Sequence, residues 1–243
     1  MVVFSGLSVG RFAYSAGEEE KDFFSKMRLK MVQTQIVARG IQDERVLTAV
    51  RKIPRHEFVP TVEKLLAYSD GPLPIGHGQT ISQPYIVALM TELLQVQPTD
   101  KIFEVGTGSG YQTAVLAEMA KEVYTIEIID PLYKQAKVRL EKLGYRNVHA
   151  RLGDGTRGWS EEAPFDKMMV TAAGLKIPDT LIEQLKDGGR LVMPVGETQQ
   201  VLVVGEKRNH VLKTYETIPV RFVPLVEERP AKTKEEWDGK KGS

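Results

Sequence analysis

From Lys101 onward the chain alternates short apolar runs with segments of helical periodicity. This alternation restricts the fold more than any other feature. Strands are expected at 101–105, 122–127, 147–152, 166–171 and 189–195, with helices between them. Strands joined by helical crossovers run parallel and bury both faces. The pattern therefore predicts an α/β fold built on a doubly wound, mostly parallel sheet. After Pro194-Val195-Gly196 the spacing shortens. Val201-Leu202-Val203-Val204, the run 211–215 and Val220-Arg221-Phe222-Val223 lie too close together for helical crossovers, so antiparallel strands are expected at this end.

The first third reads as helical. Met31, Val32, Gln35, Ile36 and Arg39 fit a helix closed by Gly40. Asp43 caps a second helix with Val46, Leu47 and Val50 on one face. A short third helix is expected at 62–67. A polar loop rich in glycine and proline follows at 69–83, and Pro84 then suits the first position of a helix carrying Ile86, Val87, Met90, Leu93 and Leu94. Residues 1–30 read as an N-terminal extension, 31–226 as one domain, and 227–243 as a charged surface tail. Met27 and Met31 are alternative starts, because the well-patterned sequence begins near them.

Composition narrows the function. The 243 residues are enough for one large domain with a buried core. With 33 basic and 32 acidic residues the formal net charge is +1, which offers no electrostatic footprint for nucleic acid or an anionic membrane. No apolar stretch is long enough to span a bilayer. Cysteine is absent, which excludes disulfides, thiol nucleophiles and cysteine metal sites. The four histidines, His56, His77, His149 and His210, are scattered, so no metal cluster is expected. The mildly apolar start is interrupted by Arg11 and has no basic residue ahead of it. It makes a poor signal peptide, and the cytosol is the expected compartment.

Glu104-Val105-Gly106-Thr107-Gly108-Ser109-Gly110-Tyr111 joins the first of the parallel strands to a helix. Glycines at such a junction let ligand atoms approach the backbone. The spacing is G-x-G-x-G, with Tyr111 where a dinucleotide fold places its third glycine. Glu104 beside the turn disfavours a diphosphate and favours a ligand with a cationic amino-acid end and an adenosine end. S-adenosyl-L-methionine is such a ligand. Glu127, at the end of the next strand, reads as the acceptor for ribose hydroxyls. Asp154, in Gly153-Asp154-Gly155-Thr156 after a third strand, reads as a partner for the adenine amino group. Glu104, Gly106, Thr107, Gly108, Ser109, Gly110, Glu127, Asp154, Gly155 and Thr171 form the expected cofactor set. In it, Gly108 serves close backbone approach.

The segment before Pro84 holds a second candidate site. Thr80, Ser82 and Gln83 place side-chain donors at the mouth of a helix, where free amides and the helix dipole suit a carboxylate. Ser82 or Gln83 could equally serve only as a helix cap. His77, alone between glycines, reads more readily as structural or exposed than as a general base.

Taken together, these motifs resemble a known family. Gly78-Gln79-Thr80-Ile81-Ser82-Gln83-Pro84, the glycine turn through Gln112, Gly153-Asp154-Gly155, Pro164-Phe165-Asp166 and Val170-Thr171-Ala172-Ala173 occur in the order seen in protein-L-isoaspartate O-methyltransferases of bacterial or archaeal type. The segment from Leu185 to Gly196 continues the likeness, which runs from about Met31 to about Leu225. Asp187 stands where the family often has proline, and Glu197 where many members have glycine. The resemblance implies a Rossmann-like methyltransferase that transfers a methyl group to the free α-carboxylate of L-isoaspartyl residues in damaged proteins and peptides. The ester then cyclises to a succinimide, which can reopen to normal aspartate. The resemblance makes Ser82 the active-site serine, with Thr80, Ile81 and Gln83 completing the substrate wall. A methyltransferase of another acceptor, and a cofactor-binding module without turnover, are the alternatives.

Overall fold

The computed structural model describes residues 16–227. Among these residues a hairpin of β1 (Leu73–Gly76) and β2 (Gln79–Ile81) stands apart from a seven-stranded sheet. The large sheet contains β3 (Lys101–Val105), β4 (Glu122–Glu127), β5 (Val148–Leu152), β6 (Phe165–Val170), β7 (Leu185–Val195), β8 (Gln200–Arg208) and β9 (Val211–Val220). Its order is β5-β4-β3-β6-β7-β8-β9. The first five of these strands in space pair in parallel, and β8 and β9 close the edge antiparallel. The chain winds one way from β3 to β5, then returns to the other side of β3 with β6. That reversal opens a crevice beyond the carboxyl ends of β3 and β6, the usual ligand position in such sheets.

The helices are α1 (Ala16–Met31), α2 (Glu44–Lys52), α3 (Pro84–Leu94), α4 (Tyr111–Ala117), α5 (Asp130–Lys142) and α6 (Asp179–Gln184). None is long and apolar enough to cross a membrane. The strand period of two divides the core. Ile102 and Val123 belong to one apolar cluster with α2, α3 and α4, while Phe103, Val105 and Tyr124 belong to the other with Phe165 and Leu181. Asp43 caps α2 as expected, accepting from the Arg45 amide at 2.9 Å. Pro84 opens α3, and every residue of α4 is buried.

The structure corrects the sequence reading in three places. The expected loop at 69–83 contains the β1–β2 hairpin. His77 (φ 53°) and Gly78 (φ 72°) form its turn, where positive φ at both positions matches the twist of the strands. Val220-Arg221-Phe222-Val223 is not a separate strand. β9 runs unbroken to Val220, and Gln200 then takes the place of the ladder, accepting from the Phe222 amide at 2.6 Å and donating to its carbonyl at 3.2 Å. The 3₁₀ helix Thr61–Leu66 stands where a short helix was expected, yet Val62, Leu65 and Leu66 are exposed.

The expected boundary at residue 31 falls inside one helical run, because α1 continues through a π turn (Val32–Ile36) and a 3₁₀ turn (Val37–Arg39) before Gly40 ends it at φ 93°. Phe24 is buried and stacks on the His56 ring at 4.0 Å, and Arg28 Nε donates to the Arg51 carbonyl at 2.5 Å. Residues 16–30 therefore pack with the domain. Their charge-rich sequence obscures the few apolar contacts. The rest of the expected extension, and all of the expected tail beyond Glu227, lie outside the described residues.

One carboxyl group sits inside the sheet. Glu104 in β3 is fully buried, and its Oε2 accepts from Thr113 Oγ1 at 2.5 Å and Thr125 Oγ1 at 2.7 Å. Thr125 also meets Thr107 Oγ1 at 2.7 Å, which ties β4 to the glycine turn. Glu104 Oε1 has no hydrogen-bond partner. Loss of water raises this carboxyl to about 7; the two threonine hydroxyls oppose the rise, and the Glu127 charge adds to it.

Two outcomes follow from this packing. Phe24→Ala should lower stability by roughly 3 kcal/mol, as for other buried aromatic truncations. An unchanged urea midpoint would place α1 outside the cooperative unit. For Glu104, the protonated form is favoured in the folded chain. Its stabilising contribution is complete below the unfolded value of 4.5, declines as pH rises, and is lost above about 7. Relative to Glu104→Gln, the wild-type protein should lose on the order of 3 kcal/mol across that window, at about 1.4 kcal/mol per pH unit. Parallel denaturation curves at several pH values test this, and a constant difference between the two proteins would contradict it.

Candidate active site

The glycine turn leaves β3 with Gly106 at φ 95°, Gly108 at φ 53° and Gly110 at φ 86°. These left-handed values explain why glycine recurs there. Gly106 is constrained by space as well, because a Cβ would lie 2.3 Å from Thr171 Oγ1. Thr171 follows β6 and fastens the two strand ends. Its amide donates to the Val105 carbonyl at 2.9 Å, and its hydroxyl lies 2.7 Å from the Gly106 carbonyl. Gly108 donates its amide to Glu127 Oε2 at 2.8 Å, and the Ile129 amide reaches Glu127 Oε1 at 2.9 Å. The Glu127 carboxylate thus bridges the turn and the chain leaving β4. Each of its oxygens keeps a further acceptor site.

A cavity partly open to solvent lies beyond this junction. The structure brings most of the expected residues to its walls. Gly106, Thr107, Gly108 and Ser109 come from the turn, Glu127 from β4, Gly155 from the loop after β5, and Thr171 from β6. Thr80 and Ile81 of β2 and the following Ser82 also line it. Four expected residues do not reach this cavity. Glu104 is enclosed in the core. Gly110 is the N-cap of α4, and its missing side chain leaves room for Leu140 of α5, which a Cβ there would meet at 3.3 Å. The Asp154 carboxylate is buried and accepts from the Thr156 amide at 2.9 Å and hydroxyl at 2.7 Å, leaving its neighbour Gly155 on the wall. Gln83 lines an adjoining groove that shares Thr80, Ser82 and Thr171 with the cavity.

The two readings of the segment before α3 now separate. Neither Ser82 nor Gln83 caps the helix with its side chain. Gln83 Nε2 instead donates to Asp70 Oδ1 at 2.7 Å. No hydrogen bond within the described residues engages the Ser82 hydroxyl, whereas the Ser82 carbonyl accepts from Arg55 Nη2 at 2.7 Å. Buried Ile81 anchors this wall, and Thr80 is exposed. His77 lies exposed at the hairpin turn and does not line the cavity. Among the described residues, no group of three or more acidic or histidine side chains could hold a metal.

Several wall residues escaped the sequence reading. Tyr111 and Gln112 open α4 and line the cavity; their position directly after the turn was the available signal. Residues 223–226 cover it from the far end of the chain. They are held there because the Ala173 amide donates to Val223 O at 2.9 Å and the Leu225 amide to Ala173 O at 2.8 Å. Nothing local in Val223-Pro224-Leu225 announces that pairing with the end of β6.

Comparison with known proteins agrees with this geometry. Residues 26–230 match the family model described as protein-L-isoaspartate(D-aspartate) O-methyltransferase. A relative from Polaromonas sp. (strain JS666 / ATCC BAA-500), named protein-L-isoaspartate O-methyltransferase 2, is 58% identical over 190 residues, covering 77% of this chain and 90% of the relative. The protein-L-isoaspartate O-methyltransferase of Opitutus terrae is 53% identical over 205 residues, covering 84% and 88%. A solved chain from Plasmodium falciparum, assigned to the same enzymes and in complex with S-adenosyl-L-homocysteine, superposes with a TM-score of 0.72 at 25% identity, covering 84% of this chain and 99% of that one. A second solved protein-L-isoaspartate O-methyltransferase gives a TM-score of 0.72 at 28% identity over 83% of this chain, which spans 65% of that longer one. The matched region includes α3, the glycine turn, the Ser82 wall and the covering segment 223–226, so the sequence likeness and the cavity coincide: this chain belongs to the protein-L-isoaspartate (D-aspartate) O-methyltransferase family.

Proposed function

We propose that Ser82 orients the acceptor carboxylate in this family's repair reaction, methyl transfer from S-adenosyl-L-methionine to the free α-carboxylate of an L-isoaspartyl residue. One observation carries this assignment: the Ser82 hydroxyl has no partner in the described protein and lines the same cavity as the Glu127 carboxylate and the glycine turn. Damaged proteins and peptides are the proposed substrates.

The chain fits the cofactor. Glu127 retains acceptor sites for two ribose hydroxyls, and the backbone from Gly106 to Ser109 is open to close approach. A Cβ at Gly108 would meet only Ile75, at 3.5 Å, so within the protein it is the left-handed φ of 53° that favours glycine there. Gly155 packs so tightly that a Cβ would lie 2.3 Å from Val105 Cγ1, which keeps that wall flat. When bound, the cofactor supplies an electrophilic methyl group on a sulfonium.

The protein's part is to hold and align. A carboxylate with an ordinary pKa of about 4 is already ionised at neutral pH, so no general base is required. Ser82 donates to one carboxylate oxygen and leaves the other directed across the cavity. Ile81 and residues 223–226 limit water around that oxygen, which strengthens it as a nucleophile. Alignment of this kind lowers barriers by up to about 7–11 kcal/mol in favourable cases.

Ser82→Ala should reduce kcat on an isoaspartyl peptide by about 10²–10³, as when other orienting donors are removed. Affinity for S-adenosyl-L-homocysteine and melting temperature should stay near wild type, since Ser82 caps no helix. Full activity in this variant would refute the assignment. The matching peptide with normal aspartate should be a poor substrate for both proteins. Glu127→Ala should weaken S-adenosyl-L-homocysteine binding by roughly 1.5–3 kcal/mol, the range for hydrogen bonds to a charged group. Calorimetry on a folded variant with unchanged affinity would remove Glu127 from the ribose site.

A further inference from the structure

Arg55 is the largest of the fully buried side chains, at 0% exposure. It lies in the short 3₁₀ helix Arg55–Phe58. Among the described residues no carboxylate stands within ion-pair distance of it. Burial pulls its pKa down to about 10, which leaves it charged at neutral pH. Isolated charges are costly to bury, and an apolar side chain of similar volume would avoid that cost. The guanidinium therefore needs a reason to be there.

Its partners supply one. Nε donates to the Ala67 carbonyl at 2.7 Å, and Nη2 donates to the Ser82 carbonyl at 2.7 Å. The guanidinium carbon lies 4.8 Å from the centre of the Tyr111 ring. Tyr111 is the first residue of α4, lines the cavity, and packs edge-on against Phe58 at 5.4 Å. One planar group thus joins the end of the 3₁₀ helix Thr61–Leu66, the acceptor wall, and the helix that follows the glycine turn. Ser82 needs such a hold. It lies between the end of β2 at Ile81 and the start of α3 at Pro84, where neither a strand ladder nor a proline N–H fixes the backbone.

We infer that Arg55 is a positioning residue for methyl transfer, aiming the Ser82 hydroxyl at the acceptor carboxylate through its grip on the Ser82 carbonyl. This inference rests on the role proposed for Ser82. A guanidinium fork can hold two carbonyls and a ring face at once, whereas an ammonium is a point donor on a flexible stem. Lysine should therefore keep the charge and lose the alignment.

The test is a double-mutant cycle on the full-length protein. Arg55→Lys and Arg55→Met are each made in the wild-type and Ser82→Ala backgrounds. The readouts are kcat and KM for an isoaspartyl peptide, with S-adenosyl-L-homocysteine affinity by calorimetry. Groups that act as a unit give strongly non-additive losses. In the wild-type background, Arg55→Lys should lower kcat at least tenfold, with affinity for S-adenosyl-L-homocysteine within twofold, and Arg55→Met should lower kcat further. In the Ser82→Ala background, either change should cost less than threefold more. Equal losses in both backgrounds, or no loss in wild type, would overturn the inference while leaving the Ser82 assignment standing. Full activity of Ser82→Ala alone would overturn both. If Arg55→Lys no longer bound S-adenosyl-L-homocysteine, Arg55 would be a residue of the fold, and the positioning role would fall.

Discussion

The junction of β3 and β6 governs the rest of this structure. Thr171 occupies the space that a side chain at Gly106 would fill, and its amide and hydroxyl hold the carbonyls where β3 turns into the glycine loop. The turn is thereby set at the point where the sheet reverses its winding. Gly108 then presents its amide to Glu127, so two strand ends and one loop share a single hydrogen-bonded corner. The cavity lies where that corner faces the β1–β2 hairpin.

Charge is distributed across this cavity in a way that suits the reaction. Glu127 belongs to the side of the glycine turn, and Arg55 is tied to the side of Ser82. A sulfonium donor and a carboxylate acceptor carry the complementary charges. Among the described residues no ion pair neutralises Arg55, which meets two carbonyls and an aromatic ring instead. Fixed dipoles of this sort moderate a buried charge without cancelling its field.

The parts of the fold legible in the sequence are those set by local rules. Apolar runs separated by helical segments identified β3 to β7, because crossover connections leave few alternatives to a parallel sheet. Asp43, Pro84 and Gly40 marked helix ends through capping, a missing N–H and a left-handed φ. The hairpin at His77-Gly78 was harder to see. Histidine is a less common choice than asparagine for the left-handed turn position, and its flanking strands are only three and four residues long. α1 was obscured for a different reason: Phe24 acquires its meaning only when His56 packs against it.

The candidate site divides along the same line. The sequence alone determined the glycine turn, the carboxylate at the end of β4 and the Ser82 segment, since each is a short motif whose chemistry travels with its residue types. Tertiary structure alone decided which of those residues face the cavity. It enclosed Glu104 among threonines, turned Asp154 to its own loop and gave Gly110 to the packing of α5. It also brought residues 223–226 over the pocket and placed the Arg55 guanidinium beneath Ser82. Contacts between residues 27 or 50 positions apart depend on how sheet and helices close around one core, and no local pattern encodes that closure.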